Sequence, residues 1–281
     1  MGRPMAANLA KVRATEVWNR TGQVARDHAA AHGTTAVDDV TDLADVEVVA
    51  TCLPTTVEVV AVAGTLAPHL AAGTVWVDHT SGDPAASREL AADLAGRGIA
   101  YLDAPVSGGA DGAEAGTLTV MVGGDPQVLD DVRWALDAVG QRIVHVGPIG
   151  AGHATKAVNN ALLATSLRAA AEGLTALAKA GVAPSAALEV INASSGRSFA
   201  SERLLPERVL TRGFPNTFAL PLLAKDVGLA TDVLADAEVD GPVLALVDRL
   251  TRAAASELGP DVDHTALVRI VETAAGVELD H

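Results

Sequence analysis

Lys156 and Asn160 stand four residues apart in Gly147-Pro148-Ile149-Gly150-Ala151-Gly152-His153-Ala154-Thr155-Lys156-Ala157-Val158-Asn159-Asn160. On a helix that spacing puts both on one face. The chain holds four lysines against sixteen arginines. Arginine would serve for surface charge alone, whereas a desolvated lysine can release and regain a proton. A structural lysine fits the same residues. His153 falls on another face and is expected at the surface of the helix start.

Asp103-Ala104-Pro105-Val106-Ser107-Gly108-Gly109 could supply the other half of a site. A Ser-Gly-Gly turn aims backbone N–H groups and a hydroxyl into one concave spot, which receives a carboxylate. A plain glycine turn is the alternative. The pattern runs on, however, through Gly112, Gly116 and Thr117-Leu118-Thr119-Val120-Met121-Val122-Gly123-Gly124, a length hard to obtain by chance. Cys52-Leu53-Pro54-Thr55-Thr56 and Asp78-His79-Thr80-Ser81-Gly82-Asp83-Pro84 each follow an apolar run. Parallel strands end at the ligand crevice, where such side chains can touch a ribose or a nicotinamide without crowding it. Helix N-capping explains the Thr and Ser equally well. Cys52 reads as a small buried apolar residue. Lys225-Asp226, inside the apolar frame Leu222–Ala230, is either a ligand or domain contact or a partly exposed ion pair.

Gly2-Arg3-Pro4-Met5-Ala6-Ala7-Asn8-Leu9 looks like the helix after a dinucleotide-binding turn, with Gly2 as the last glycine of G-x-G-x-x-G. The N–H groups of such a helix start receive a pyrophosphate, although a simple glycine cap has the same appearance. Trp18-Asn19-Arg20-Thr21 follows the next strand, at about the spacing where the fold reads a ribose. An acidic residue there would suit the 2′-hydroxyl of NAD. Arg20 suits a 2′-phosphate instead and can stack on adenine; a solvated surface arginine is the competing reading.

Strands that would position these groups are expected at Thr15–Asn19, Val46–Leu53, Thr74–His79, Ile99–Asp103, Thr117–Val122 and Arg142–Val146. Amphipathic stretches lie between them at Gly22–His32, Pro84–Arg97 and Pro126–Val139. This alternation implies a parallel sheet with helices on both faces. The Gly-rich connection Pro105–Gly116 adds an antiparallel section. After Gly147 strand signals stop. Helices are expected at Gly150–Gly181, Pro184–Ala193, Leu220–Ala237, Pro242–Leu258 and Asp263–Ala274, with prolines near their starts and loops. The fold class is thus α/β. A Rossmann-like doubly wound domain, 1–147, precedes an all-helical domain, 148–281, and a long helix joins them. One feature is costly. Gly2 opens a helix with no strand before it, which leaves a doubly wound sheet without its central neighbour and with unpaired backbone groups.

The 281 residues are 49% hydrophobic and only 2% aromatic, so the core is built from Ala, Val and Leu. A net charge of -15 argues against nucleic acid or an anionic membrane as partner. The single cysteine excludes an intrachain disulfide or a multi-cysteine metal cluster. No targeting segment or membrane span is legible, so a cytoplasmic protein is expected, and no metal is called for.

Together these blocks resemble the β-hydroxyacid dehydrogenase family, which includes 3-hydroxyisobutyrate dehydrogenase, tartronate semialdehyde reductase and, more distantly, 6-phosphogluconate dehydrogenase. The likeness covers nearly the whole chain, in order: G-x-P-M-A-x-N-L, W-N-R-T, C-L-P-T, D-A-P-V-S-G-G, G-T-L-T-V-M-V-G-G, G-A-G-x-x-x-K-x-x-N-N and L-x-K-D. It implies that Lys156 is catalytic and that Ser107, Gly108, Gly109 and Asn160 bind substrate. It further implies that Gly2, Arg3, Pro4, Met5, Asn19, Arg20, Thr21, Leu53, Pro54, Ser81 and Lys225 bind cofactor, NADP(H) in preference to NAD. The implied reaction is hydride transfer between NADP(H) and a small 3-hydroxy acid or its semialdehyde. Imine reductases share the fold and a similar T-S-G-x-P segment, matched by Thr80–Pro84; imine reduction is the second reading and a non-catalytic cofactor-binding remnant the third. The family's first strand and first two cofactor glycines have no counterpart, so the true start is expected about a dozen residues upstream. The apolar, Ala-rich helical half is expected to form a homodimer or tetramer.

Overall fold

The computed structural model describes Met1–Asp280. One compact unit is Met1–Lys156 and a second begins at Ala157. In chain order the first contains α1 (Gly2–Ala10), β1 (Glu16–Val17), α2 (Gly22–His32), β2 (Thr35–Ala36), β3 (Val48–Thr51), α3 (Thr56–Leu66), β4 (Val75–Asp78) and α4 (Pro84–Ala95). There follow β5 (Ala100–Asp103), β6 (Val106–Ser107), α5 (Gly109–Ala115), β7 (Leu118–Gly123), α6 (Pro126–Asp131), α7 (Arg133–Val139) and β8 (Gly140–Gly147). Short apolar runs become strands because both faces are covered. Trp76, Leu66 and Leu94 fill one side, and Leu102, Leu118, Val122 and Leu136 belong to a second cluster. Local chemistry marks the helix starts. Thr55 and Glu58 form a reciprocal capping box at α3, and Asp83 caps α4 with Pro84 in its first turn.

The main sheet runs β3-β4-β5-β7-β6, with β8 on β7. The pairs β3–β4, β4–β5 and β7–β8 are parallel, whereas β7 is antiparallel to β5 and β6. The antiparallel section therefore falls where the Gly-rich connection indicated. β1 and β2 form a separate parallel pair. The break anticipated in a sheet without its central strand lies between β1 and β3.

Several expectations need correction. Pro105–Gly116 is not a bare connection: it carries β6 and α5, because Gly108 (φ 138°) and Gly116 (φ 68°) turn the chain sharply at either end of one short helix. The stretch Pro126–Val139 is two helices, interrupted at Val132. α3 hides in a Val-rich run that lacks helical periodicity, and its capping box outweighs the β-branched residues.

α8 (Ala151–Lys179) begins in the first unit and continues into the second. The two compact units divide inside this helix, whose start is bonded into the first unit as described below. The second unit adds α9 (Pro184–Asn192), a wide-turned helix at Ala200–Val209, α10 (Leu220–Asp236), α11 (Pro242–Leu258) and α12 (Val268–Ala275). Pro206, expected in a loop or at a start, sits inside the wide-turned helix. There the looser i→i+5 pattern relieves the usual proline clash. Leu167, Leu174, Leu205, Leu220, Leu223 and Val227 centre the core of this unit. No described helix is long and apolar enough to cross a membrane.

Candidate active site

β3, β4 and β5 end level, because Thr51 pairs with Asp78 and Asp78 with Asp103. The segments that follow, Cys52–Leu53, His79–Ser81 and Ala104–Ser107, therefore leave the sheet along one edge, where an open parallel sheet receives its ligands. Three of the residue groups singled out by sequence meet there.

Asp78 organises this edge from beneath. Its carboxylate is fully buried and accepts hydrogen bonds from Thr51 Oγ1 (2.9 Å), Thr80 N (3.0 Å) and Tyr101 OH (3.1 Å). Trp76 Nε1 donates to Thr51 Oγ1 at 3.1 Å, and Leu53 N donates to Thr80 Oγ1 at 3.1 Å, which ties the β3 and β4 ends together. Burial, then the neighbouring Asp78 charge, pushes the Tyr101 phenol far above its ordinary range. That phenol stays a hydrogen-bond donor.

Asp103 does the same for the helix bearing Lys156. Its buried carboxylate accepts from Gly150 N (2.8 Å) and His153 N (2.9 Å), so it caps the start of α8. Burial raises this carboxyl above its usual value even though both N–H bonds oppose the shift. Close packing leaves no room for a side chain at Gly152, where a Cβ would run into Met121 O and Asp103 O. His153, expected at the surface, is instead 1% exposed. Its Nδ1 lies 2.8 Å from Ser87 Oγ, and its Nε2 is 3.9 Å from Asp78 Oδ2. A Cβ on Gly82 would meet the His153 ring and Thr56 Oγ1 at 2.7 Å. The glycine of the T-S-G block is thus a packing requirement of that buried imidazole. Asp78, Asp103 and His153 carried no role in the sequence reading. The available signal was an acidic residue closing each of two buried apolar strands.

Lys156 is half-buried on the second turn of α8. In the second unit Asn160, 3% exposed, donates from Nδ2 to Asp226 Oδ2 at 2.6 Å, and Lys225 Nζ lies 2.9 Å from Asp226 Oδ1. The Lys-Asp pair is therefore a support for Asn160 rather than an isolated surface pair. Ser107 ends β6, followed by Gly108 (φ 138°) and Gly109 (φ 68°), backbone states that favour glycine. An added Cβ at Gly109 would meet nothing within 4 Å, so this turn is open to a ligand.

Gly2 and Leu53 line one cavity with Arg3, Met5 and Asn19. Pro4, Arg20, Thr21, Pro54 and Ser81 are not among its lining residues. Asn19 Oδ1 accepts from Thr21 N at 2.9 Å, which orders the turn holding the exposed Arg20. Cys52 is half-buried rather than buried; burial raises its thiol. α1 starts without a side-chain cap or an acid in its first turn, so its N–H groups and positive end suit an anion.

Residues 1–147 match the NAD-binding domain of 6-phosphogluconate dehydrogenase. Residues 150–271 match the domain described as NAD-binding of NADP-dependent 3-hydroxyisobutyrate dehydrogenase. The chain belongs to the β-hydroxyacid dehydrogenase family. Within the family it is 33% identical to an NAD-dependent L-serine dehydrogenase of Pseudomonas aeruginosa, over 98% of this chain and 96% of that protein. It is 40% identical to a 2-(hydroxymethyl)glutarate dehydrogenase of Eubacterium barkeri, over 74% and 69% of the two lengths. A solved 3-hydroxyisobutyrate dehydrogenase of Mycobacterium tuberculosis with L-serine has a TM-score of 0.89 at 30% identity, covering 96% of this chain and 95% of that one. The chain is accordingly an NAD(P)-dependent hydroxyacid dehydrogenase with a Rossmann domain and a helical C-terminal domain.

Proposed function

We propose that this dehydrogenase interconverts a small 3-hydroxy acid and its semialdehyde, with Lys156 as the general acid–base. A bound nicotinamide supplies or takes up the hydride. The protein's part is placement and proton transfer. In reduction the Lys156 ammonium gives a proton to the oxygen that gains negative charge; in oxidation the neutral amine removes the hydroxyl proton. Ser107 Oγ and the N–H groups of Gly108 and Gly109 hold the substrate carboxylate, and Asn160 orients the same molecule from one turn beyond Lys156. Gly2, Arg3, Pro4 and Met5 offer the start of α1 to the pyrophosphate. Asn19, Arg20 and Thr21 take the ribose end, while Leu53, Pro54, Ser81 and Lys225 complete the cofactor site. An exposed Arg20 with no acid in Trp18–Thr21 supports NADP(H) as the favoured cofactor. Exposed Leu162, Val190, Phe199, Val243 and Leu246 in the helical unit support a homo-oligomer.

What carries the reading is the buried capping of α8 by Asp103, which gives a half-buried lysine a defined place one turn further on. Replacing Lys156→Met should lower kcat about 10²–10⁴-fold with small semialdehydes, the usual worth of a positioned acid–base. NADPH binding, read by fluorescence titration, should be unchanged. Intact turnover in that variant would defeat the reading.

A further inference from the structure

Asn8, in the last turn of α1, is a buried polar residue with no place in the cofactor or substrate site described above; it is 6% exposed. Met5, Asn8 and Leu9 share one face of that helix, being three and four residues apart. The face packs on α5: Met5 and Ala113 belong to one buried cluster, with Leu9 packed against it. The Asn8 amide reaches the end of α5. Its Nδ2 donates to Ala113 O at 2.8 Å and to Glu114 O at 3.4 Å. Its Oδ1 accepts from Lys11 Nζ at 2.6 Å. An ammonium can only donate, so the amide oxygen faces Lys11 and the nitrogen faces the carbonyls.

α5 depends on this contact. Its seven residues are too few to hold a helix in water, so tertiary contacts fix its place. The start has no side-chain cap, and a Cβ on Gly109 would meet only open space. Along its length α5 rests on Leu118, whose Cδ2 would lie 3.0 Å from a Cβ on Gly108 and 3.2 Å from one on Gly112. Such apolar contact is non-directional, whereas a hydrogen bond fixes an angle. At the far end, Gly116 N and Thr117 N both return to Gly112 O, and the carbonyls of Ala113 and Glu114 are served by Asn8. Carbonyls at a helix end need such a partner where water is excluded. The Ser107-Gly108-Gly109 turn opens this same helix, about 10 Å from its end.

We propose that Asn8 is a positioning residue for the substrate. By holding the end of α5, it fixes the direction in which Ser107 Oγ and the N–H groups of Gly108 and Gly109 point. α1 then serves both ligands, with its start offered to the pyrophosphate and its end setting the turn. The inference rests on the reading of that turn as the carboxylate seat.

The test compares malonate semialdehyde with propanal, which has a methyl group where the first has its carboxylate. Asn8→Asp keeps the shape and the bond to Lys11, but replaces the donor by an anion facing two carbonyls. Its KM for malonate semialdehyde should rise tenfold or more, since misaiming by about an ångström costs up to about 100-fold, while kcat stays within about threefold. Its kcat/KM for propanal and its NADPH affinity, read by fluorescence titration, should not change. Asn8→Ala, which removes the donor without adding charge, should shift KM the same way by less. An Asn8→Asp enzyme with unaltered KM for malonate semialdehyde overturns the proposal, because shape alone would then suffice. Equal losses with both aldehydes overturn it as well, since they would mark general destabilisation. A wild-type enzyme indifferent to the carboxylate defeats the reading of the turn itself and this inference with it.

Discussion

Arg20 is exposed in a turn ordered by the Asn19–Thr21 hydrogen bond, so its guanidinium has little local work beyond its field on Glu58. Arg20→Asp should reverse the charge offered to a 2′-phosphate. The NADP-to-NAD ratio of kcat/KM is then expected to fall at least tenfold to a hundredfold, the worth of one or two charge-assisted hydrogen bonds. Steady-state kinetics with both cofactors checks this. At this scale residue type was legible, as with a lysine in an Ala/Asn-rich helix start or a serine before two glycines. Burial was not. His153 and Lys156 share a helix start in the sequence, and only packing against Ser87 and Gly82 takes the imidazole out of solvent.

The unit that matters among elements is α8 with its cap. Asp103→Asn keeps the shape but can accept through only one atom, so one buried N–H at the helix start loses its partner. The expected cost is about 1–3 kcal/mol in urea unfolding. Displacement of the first turn should lower kcat more than it raises KM, because Lys156 follows His153 by three residues while the Ser107–Gly109 turn is untouched. A variant with normal kcat would separate the cap from lysine placement. The strands other than the two-residue β2 and β6, and the longer helices of the second unit, were legible because periodicity and capping residues agree along them. α5 and α3 were not: glycines of positive φ bound one, and a Val-rich run hides the other.

For the molecule as a whole, burial lowers the pKa of both His79 and His28. The folded chain keeps them neutral, while the unfolded chain protonates them near 6.5. Stability is therefore held above about pH 6.5 and lost as pH falls below it, by up to about 1.4 kcal/mol per unit for each group. Urea midpoints between pH 7.5 and 5.5 test this. His79→Asn, which retains a donor for Ala104 O in place of the Nδ1 contact at 2.7 Å, should flatten part of the slope. The exposed apolar side chains of the helical unit lead to a second expectation. Light scattering should give a dimer or tetramer of the 28.4 kDa chain, and a monomer at micromolar concentration would refute it.

By itself the sequence determined the α/β-then-α order, the parallel sheet with its antiparallel section, the lysine-bearing helix and the Ser-Gly-Gly turn. These follow from periodicity, capping residues and glycine placement, which act within a few residues. Tertiary structure alone decided that Asp78 and Asp103 lie buried in register beneath one sheet edge, that His153 is interior, that Asp226 links Lys225 to Asn160, and that residues of β1 and β3 line one cavity. Each of these depends on which strands pair and which faces close, contacts between residues distant in the chain that no local pattern encodes.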